Sequence, residues 1–444
     1  MKTAISLKKI VLLLGDVLAL YVSLLLMLYL RYGGDFVNQL RDSHLLPFSI
    51  LFSFWLIIFY IVGAYEFHRP QSSLEFSSTL VAALGANFAL AILFFYFLPA
   101  FGIAPKTNLF LFMLIFAVVE VAWRKYFKLL AVWWPPVRLA LLGKSPAALE
   151  VEYFLTATPQ FGYRVVTRIA DEKDFLAHKD DLREVLRREN VEAIIVPRQL
   201  RHKSGFAKNF MELLNSGLEV VDLAEFYEAV FRRVPLEEIE EGWFLENVPR
   251  RRFYEAIKNF TEFILAILLT IILSPLALLL AILVKISSPG PVVYSQARVG
   301  RYGREFMLRK FRSMVLDAER GGPQWSAVRD ERSTAIGQIL RLTHLDEVFQ
   351  LTNILQGELA FVGPRPERPE IASKLREQIS YYETRSLIKP GLTGWAQINH
   401  RKDAAVEDVK LKLQYDLYYL KNRSFVLDMA ILLKTLRMFF INPQ

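Results

Sequence analysis

Apolar positions along this chain fall in runs, and the kind of run changes twice. In the first third they occupy about Ile10–Leu30, Leu45–Tyr65, Leu80–Ile103 and Leu109–Trp123. Each is close to the ~20 residues that cross a bilayer as a helix. The first is too long, and too plainly followed by others, for a cleaved signal peptide. Lys2, Lys8 and Lys9 precede the first run, and Arg124, Lys125 and Lys128 follow the fourth. Positive flanks stay on the cytoplasmic side, so a four-span block with both ends inside is expected. Asp16 and Glu120 lie in or beside these spans. An acid paired within the bundle is the preferred reading, ahead of a polar pathway.

After "AVWWPP" (Ala131–Pro136) the period shortens. "VRLALLG", "YRVVTRIA", "VEAIIVP" and "LEVVDL" read as strands; "SPAALEVEYFL", "FLAHKDDLREVLRRE" and "FAKNFMELLNSG" read as helices between them. Strands alternating with helices predict a parallel, doubly wound sheet. The turn "GKSP" (Gly143–Pro146) is not a P-loop, because Arg138 stands where the first glycine belongs. It also lacks the later glycines of a dinucleotide fingerprint. A regulatory or oligomerisation module is favoured over nucleotide binding.

The second change comes at "FILAILLTIILSPLALLLAILV" (Phe263–Val284), long enough to span a bilayer. Arg250, Arg251, Arg252 and Lys258 lie before it; Lys285, Arg298, Arg301, Arg304, Arg309, Lys310 and Arg312 lie after it. Both flanks read as cytoplasmic. Pro275, preceded by Ser274, sits at its middle, where proline removes a helix hydrogen bond. These facts predict a re-entrant hairpin that enters one leaflet and returns, with polar groups such as the Ser274 hydroxyl covering the freed backbone.

Composition narrows the chemistry. Of 444 residues 53% are hydrophobic, in keeping with membrane segments, and the formal net charge is +9. A basic excess suits nucleic acid, anionic lipid or a phosphorylated substrate. There is no cysteine, which excludes disulfides, thiolate catalysis and cysteine-ligated metals. The six histidines form no H-E-x-x-H.

The candidate chemistry sits in "LRLTHLDEVFQLTNILQGELAFVGPRPERPE" (Leu340–Glu370). Leu342, Leu345, Phe349 and Thr352 follow helical spacing, which sets Asp346 on or beside an apolar stripe. Glu347 is offset by about a third of a turn, so the two carboxylates diverge. Pro364 and Pro366 fix the backbone around Arg365, and a pre-ordered guanidinium suits phosphate. Lipid attraction accounts for Arg301 and Arg304. It accounts less well for Lys310 and Arg312, which alternate with apolar residues in "EFMLRKF".

From about Tyr254 to the end, the chain resembles the bacterial sugar transferases, the monotopic phosphoglycosyl transferases. The resemblance rests on "SPGPVVYSQARVG", "KFRSM" with "DAE", "LDE", "NILQGELAFVGPRPERPE", "IKPGLTGWAQIN" and "LQYDLYYLKNRSFVLDMAILLKTL", in that order. The whole layout resembles the large members that begin exopolysaccharide or O-antigen repeat units. It implies a four-span α-helical domain over 1–134 and an α/β Rossmann-like, CoA-binding-like regulatory domain over 135–245. An α+β catalytic domain follows over 250–444, with a re-entrant helix over 257–286. The implied reaction moves a sugar 1-phosphate from a UDP-sugar to undecaprenyl phosphate at the bacterial inner membrane, on its cytoplasmic face. The resemblance makes Asp346 the nucleophile and Glu347 a holder of Mg²⁺. Lys310, Arg312, Arg341, Arg365 and Arg401 are candidate phosphate contacts, with Gln397 as a weaker donor contact. A homodimer is implied, and no nucleic acid.

The chain departs from that pattern at Phe349, where proline is usual, and at His344, Glu262 and His400. The rival readings are a transporter or flippase and a membrane-anchored nucleotide sensor. The first predicts broken helices in two related halves, and only one break occurs. The second needs the glycine pattern the insert lacks. An Asp-x-Asp glycosyltransferase is excluded because no such triplet occurs.

Overall fold

Each N-terminal apolar run folds as one helix: Lys2–Tyr32, Leu45–Ile61, Leu74–Phe97 and Pro105–Val132. This computed structural model describes residues 2–65, 74–97, 105–132, 135–169, 179–201, 218–248, 251–315, 332–400 and 405–441. Aromatic rings fill the helix contacts; Phe48, Trp55, Phe112 and Phe116 are fully buried. Gly15 lets the first and fourth helices meet, since a Cβ there would lie 1.8 Å from the Trp123 ring. Both acids within the apolar runs are paired. Arg124 donates from Nη2 to Asp16 Oδ2 at 2.7 Å, from Nε to Glu120 Oε1 at 2.7 Å, and from Nη1 to the Ala64 carbonyl at 3.0 Å. Trp123 Nε1 donates to the second Asp16 oxygen. Buried charge is tolerated when paired and hydrogen-bonded in this way.

The insert forms the expected parallel sheet. Strands β1 (Val137–Leu142), β2 (Tyr163–Ile169), β3 (Ala193–Val196) and β4 (Glu219–Asp222) lie in the order β2-β1-β3-β4. Ser145 caps the first helix of the insert, Pro146–Ala157, by accepting from Ala148 N. The expected helix over 206–217 lies outside the described residues.

The chain divides into two units, Met1–Val230 and Phe231–Gln444. The second therefore starts before the expected residue 250. Val234, Ile239 and Trp243 belong to its core, packed with Leu417 and Trp395. Val234 N donates to Gln414 O, and Trp395 Nε1 donates to Arg232 O. The stretch 231–245, assigned by sequence to the insert, thus packs as part of the second unit.

The segment expected as a hairpin is a single helical element, Arg252–Ser287, with Pro275 inside it. Proline leaves the carbonyl four residues back without its usual donor. That carbonyl belongs to Ile271, and the Ser274 hydroxyl donates to it at 2.8 Å. This local repair lets the helix continue past the proline. Ala266, Leu269, Leu273, Leu276, Ala277, Leu280, Ala281 and Val284 follow a three-four spacing and pack on the unit's two apolar clusters. The opposite side, including Phe260, Ile264, Ile271, Ile272, Leu278 and Ile282, is exposed hydrocarbon.

Strands β5 (Val293–Val299) and β6 (Glu305–Phe311) form an antiparallel hairpin. Strands β7 (Ala360–Val362) and β8 (Gly391–Thr393) form a short parallel pair. A Cβ on Gly391 would lie 2.1 Å from Gly363 N. Gly391→Ala should therefore destabilise the protein by more than about 2 kcal/mol, read as a drop in thermal midpoint in detergent.

Candidate functional site

The acid pair does not lie on a continuous α-helix. The helix Ala335–Leu342 ends, His344 adopts a left-handed conformation (φ 54°), and Leu345–Phe349 forms a 3₁₀ turn leading into the helix Gln350–Leu355. This corrects the helical-stripe expectation. At three residues per turn, neighbouring side chains diverge by about 120° instead of about 100°. Divergence of the carboxylates survives, for a different reason. Asp346 is buried, while Glu347 is partly exposed. Phe349, where the chain departs from its relatives, packs its ring on Phe311 with centroids 4.5 Å apart. Leu280 and Val284 of the long helix share that cluster. The aromatic side chain thus pins the turn to the end of β6 and to the apolar helix.

A cationic arc faces the pair. Burial, followed by repulsion from Glu347, pushes the Asp346 carboxyl up to about 6, against the pull of Lys310 and Arg341. Burial holds the Lys310 ammonium below its usual range, opposed by Asp346 and reinforced by Arg298. Lys310 also stands over the Tyr294 ring at 5.5 Å. Arg365 Nη2 lies 3.4 Å from Glu347 Oε1, with its guanidinium half-exposed. The structure thus brings Asp346, Glu347, Lys310, Arg341 and Arg365 into one electrostatic neighbourhood.

Of the other expected contacts, two are engaged elsewhere and one is not described. Arg312 donates to Pro289 O at 2.9 Å, and to Ser288 O and Oγ at 2.7 and 2.8 Å. It locks the turn that leaves the long helix, and correction is needed there: a fork engaged by that turn does not face a phosphate. Gln397 donates to Leu392 O, and its Oε1 is buried with no partner among the described residues. Arg401 lies outside the described residues, as does the "DAE" motif at 317–319.

The loop carrying Arg365 is held through its backbone. Pro364 O accepts from Gly391 N at 2.9 Å. Arg365 O accepts from Arg385 Nη2 at 2.9 Å. Pro366 O accepts from Arg298 Nη1 at 3.0 Å, and Glu367 O accepts from Val299 N at 2.9 Å. Four successive carbonyls each have a donor. Arg385 is itself fixed by Asp416 at 2.9 Å and by Tyr382 Oη at 2.9 Å. Arg298, Arg385 and Asp416 were not found by sequence reasoning. The signal for Asp416 was present, since an acid stands in the otherwise amphipathic "LQYDLYYL" on its buried face. Beside the loop lies a cleft of about 390 Å³, whose walls include Arg365, Glu367, Arg376, Tyr382, Arg385 and Pro390.

Among the described residues no cluster of three or more acidic or histidine side chains could hold a metal by itself. Asp346 and Glu347 offer two carboxylates. Magnesium is commonly held by one or two carboxylates, completed by phosphates and water. The donor set therefore fits magnesium that arrives with a diphosphate.

Three outcomes follow. In metal-free buffer the raised Asp346 carboxyl makes the native state bind more protons than the unfolded state. Its contribution to stability is thus lost as pH rises from the ordinary carboxylate range through about 6. Asp346→Asn should melt higher than wild type above that range, by roughly 1–3 kcal/mol, and the gap should close in acid. Asp416→Asn should cost roughly 3–5 kcal/mol by leaving the Arg385 guanidinium buried and unpaired. Arg385→Lys, which cannot serve all three acceptors, should lower kcat by about 10²-fold by misplacing Arg365.

Comparison with known proteins places this geometry. The family model described as Bacterial sugar transferase matches residues 253–442. The chain is 35% identical over 220 residues to the UDP-N-acetylgalactosamine-undecaprenyl-phosphate N-acetylgalactosaminephosphotransferase of Aeromonas hydrophila, covering 50% of this chain and 52% of that protein. It therefore spans about half the length of that relative. It is 28% identical over 409 residues to the UDP-glucose:undecaprenyl-phosphate glucose-1-phosphate transferase of Klebsiella pneumoniae, covering 88% of each. It is 35% identical over 188 residues to the protein of that same name in Caulobacter vibrioides, covering 40% of this chain and 67% of the relative. The chain belongs to the bacterial sugar transferase family.

Proposed function

We propose that this protein transfers a sugar 1-phosphate from a UDP-sugar to undecaprenyl phosphate, giving the undecaprenyl-diphosphate sugar and UMP. The names of its relatives support the substrate classes. The observation that carries the reading is Asp346: a buried carboxylate on a 3₁₀ turn, flanked by Lys310, Arg341 and Arg365, on the unit that bears the apolar helix.

In the first step an Asp346 oxygen attacks the phosphorus that carries the sugar. The P–O bond to UMP breaks, UMP leaves with the bond's electron pair, and a sugar-phosphoryl aspartate remains. In the second step an oxygen of undecaprenyl phosphate attacks the same phosphorus. The acyl-phosphate bond breaks and the Asp346 carboxylate is restored. Covalent catalysis divides one difficult displacement into two. Lys310, Arg341 and Arg365 would balance the charge that builds on the phosphoryl oxygens. Glu347 would hold Mg²⁺, which supplies Lewis-acid neutralisation of the diphosphate when bound.

The site belongs at a membrane surface. The stripe from Ala266 to Val284 is covered by the unit, while the opposite side of the helix is bare hydrocarbon. Near the start of that helix Arg251 donates to Arg423 O. The basic residues on both flanks and Pro275 at the middle support a helix that dips into one leaflet and returns. Together with the basic flanks, this supports a place in the bacterial inner membrane, multi-pass, with this unit facing the cytoplasm.

Labelled UMP should exchange into UDP-sugar without lipid acceptor, and Asp346→Asn should lower that exchange by roughly three orders of magnitude or more. Exchange that strictly requires the lipid would sink the covalent route. For topology, a cysteine replacing the exposed Tyr302 should react only with reagent supplied to the cytoplasmic side; labelling from the periplasm would refute the re-entrant arrangement.

A further inference from the structure

A second cleft, of about 370 Å³, opens near the start of the long helix, between Tyr254, Glu255, Lys258 and Asn259 on one side and Arg301, Lys389 and Arg423 on the other. None of these residues belongs to the arc around Asp346. Its lining holds four cationic side chains and one acidic one. Lys258 is neutralised in place: its ammonium donates to Asp428 at 2.8 Å, to Tyr419 Oη and to Val362 O, and Tyr254 Oη closes on the same carboxylate. Glu255 is divided between two guanidiniums, Arg301 at 2.9 Å and Arg423 at 3.0 Å. Lys389 donates to an amide oxygen, Asn259 Oδ1 at 3.0 Å, within the fields of Glu262 and Glu255. Arg301 Nε is buried with no acceptor among the described residues. The cleft thus gathers donors and positive charge beyond what its own acid answers.

Its surroundings are hydrocarbon. The Tyr254 ring, which lines the cleft, packs against Phe425 at 5.2 Å. Phe253 and Val426 beside them are 80% and 81% exposed. A soluble anion gains nothing from such a border; an amphiphile uses both parts. Basic recesses beside membrane helices bind lipid head groups on these grounds.

We propose that this cleft binds the phosphate headgroup of an anionic bilayer lipid, with Arg301, Lys389 and Arg423 on the phosphate and the acyl chains along Phe253, Phe425 and Val426. Burial holds the Lys389 ammonium below its usual range, and an arriving anion would offset that effect. The proposal depends on contact with the membrane and is independent of the sugar transfer.

The test is lysine acetylation of the full chain in nanodiscs, read residue by residue by mass spectrometry. Lys389 should react several-fold more slowly in phosphatidylcholine discs containing phosphatidate than in phosphatidylcholine alone, with Lys434 unchanged as the internal control. Asp346→Asn protein should give the same footprint, which separates this outcome from the fate of the transferase reading. Lys389→Gln should weaken phosphatidate retention by about five-fold. Equal acetylation in both discs would overturn the site. Protection by inorganic phosphate in neutral discs as strong as that by phosphatidate would overturn the lipid assignment.

Discussion

The arrangement depends on how one short loop is served with hydrogen bonds. Pro364 and Pro366 have no N–H to give, so the loop that carries Arg365 can join no regular ladder of its own. Its carbonyls are met instead by Gly391, Arg385, Arg298 and Val299. Two of those donors are guanidiniums, and Arg385 is held in turn by a nearly buried carboxylate, Asp416. The requirement reaches outward from there. Gly391 must be glycine for β8 to come close enough, and Asp416 must face inward on the helix Val406–Asn422. A guanidinium keeps a fixed position only if its backbone does not move, and this network supplies that rigidity at the cost of two buried charges.

The acid pair shows the same tension between stability and chemistry. Asp346 is kept out of water and beside Glu347, both of which work against its ionisation. Lys310 and Arg341 offset part of that penalty. A carboxylate held this way is poised to give up its isolation to phosphorus, as perturbed groups at functional sites tend to be. The aromatic contact between Phe311 and Phe349 ties the turn to the same apolar cluster that seats the long helix. The long apolar helix and the turn that carries Asp346 therefore share a core.

Much of this was legible in the sequence. The four apolar helices, the four parallel strands of the insert and the Ser274 repair at Pro275 each rest on local physics: hydrocarbon run length, strand–helix alternation and one missing amide hydrogen. The juxtaposition of Asp346, Glu347, Lys310, Arg341 and Arg365 was expected from separate motifs. Arg312 was not read correctly, because a basic residue alternating with apolar ones looks the same whether it faces a phosphate or the carbonyls of Ser288 and Pro289. The helical reading of Leu342–Thr352 failed at His344. Its left-handed backbone resets the phase, and nothing in apolar spacing announces such a residue.

By itself, the sequence determined which segments form apolar helices, which build a sheet and which residues are candidates for the chemistry. Those are properties of single stretches, set by hydrophobic period and by proline, glycine and charge. The tertiary structure decided what each charged group faces. It paired Asp16 and Glu120 with Arg124, drew residues 231–248 into the catalytic unit, and set Arg385 and Asp416 behind Arg365. It also left Lys389 beside an amide oxygen in a basic cleft. An electrostatic partner is chosen by distance in space, and residues that lie tens or hundreds of positions apart have no distance until the chain is folded.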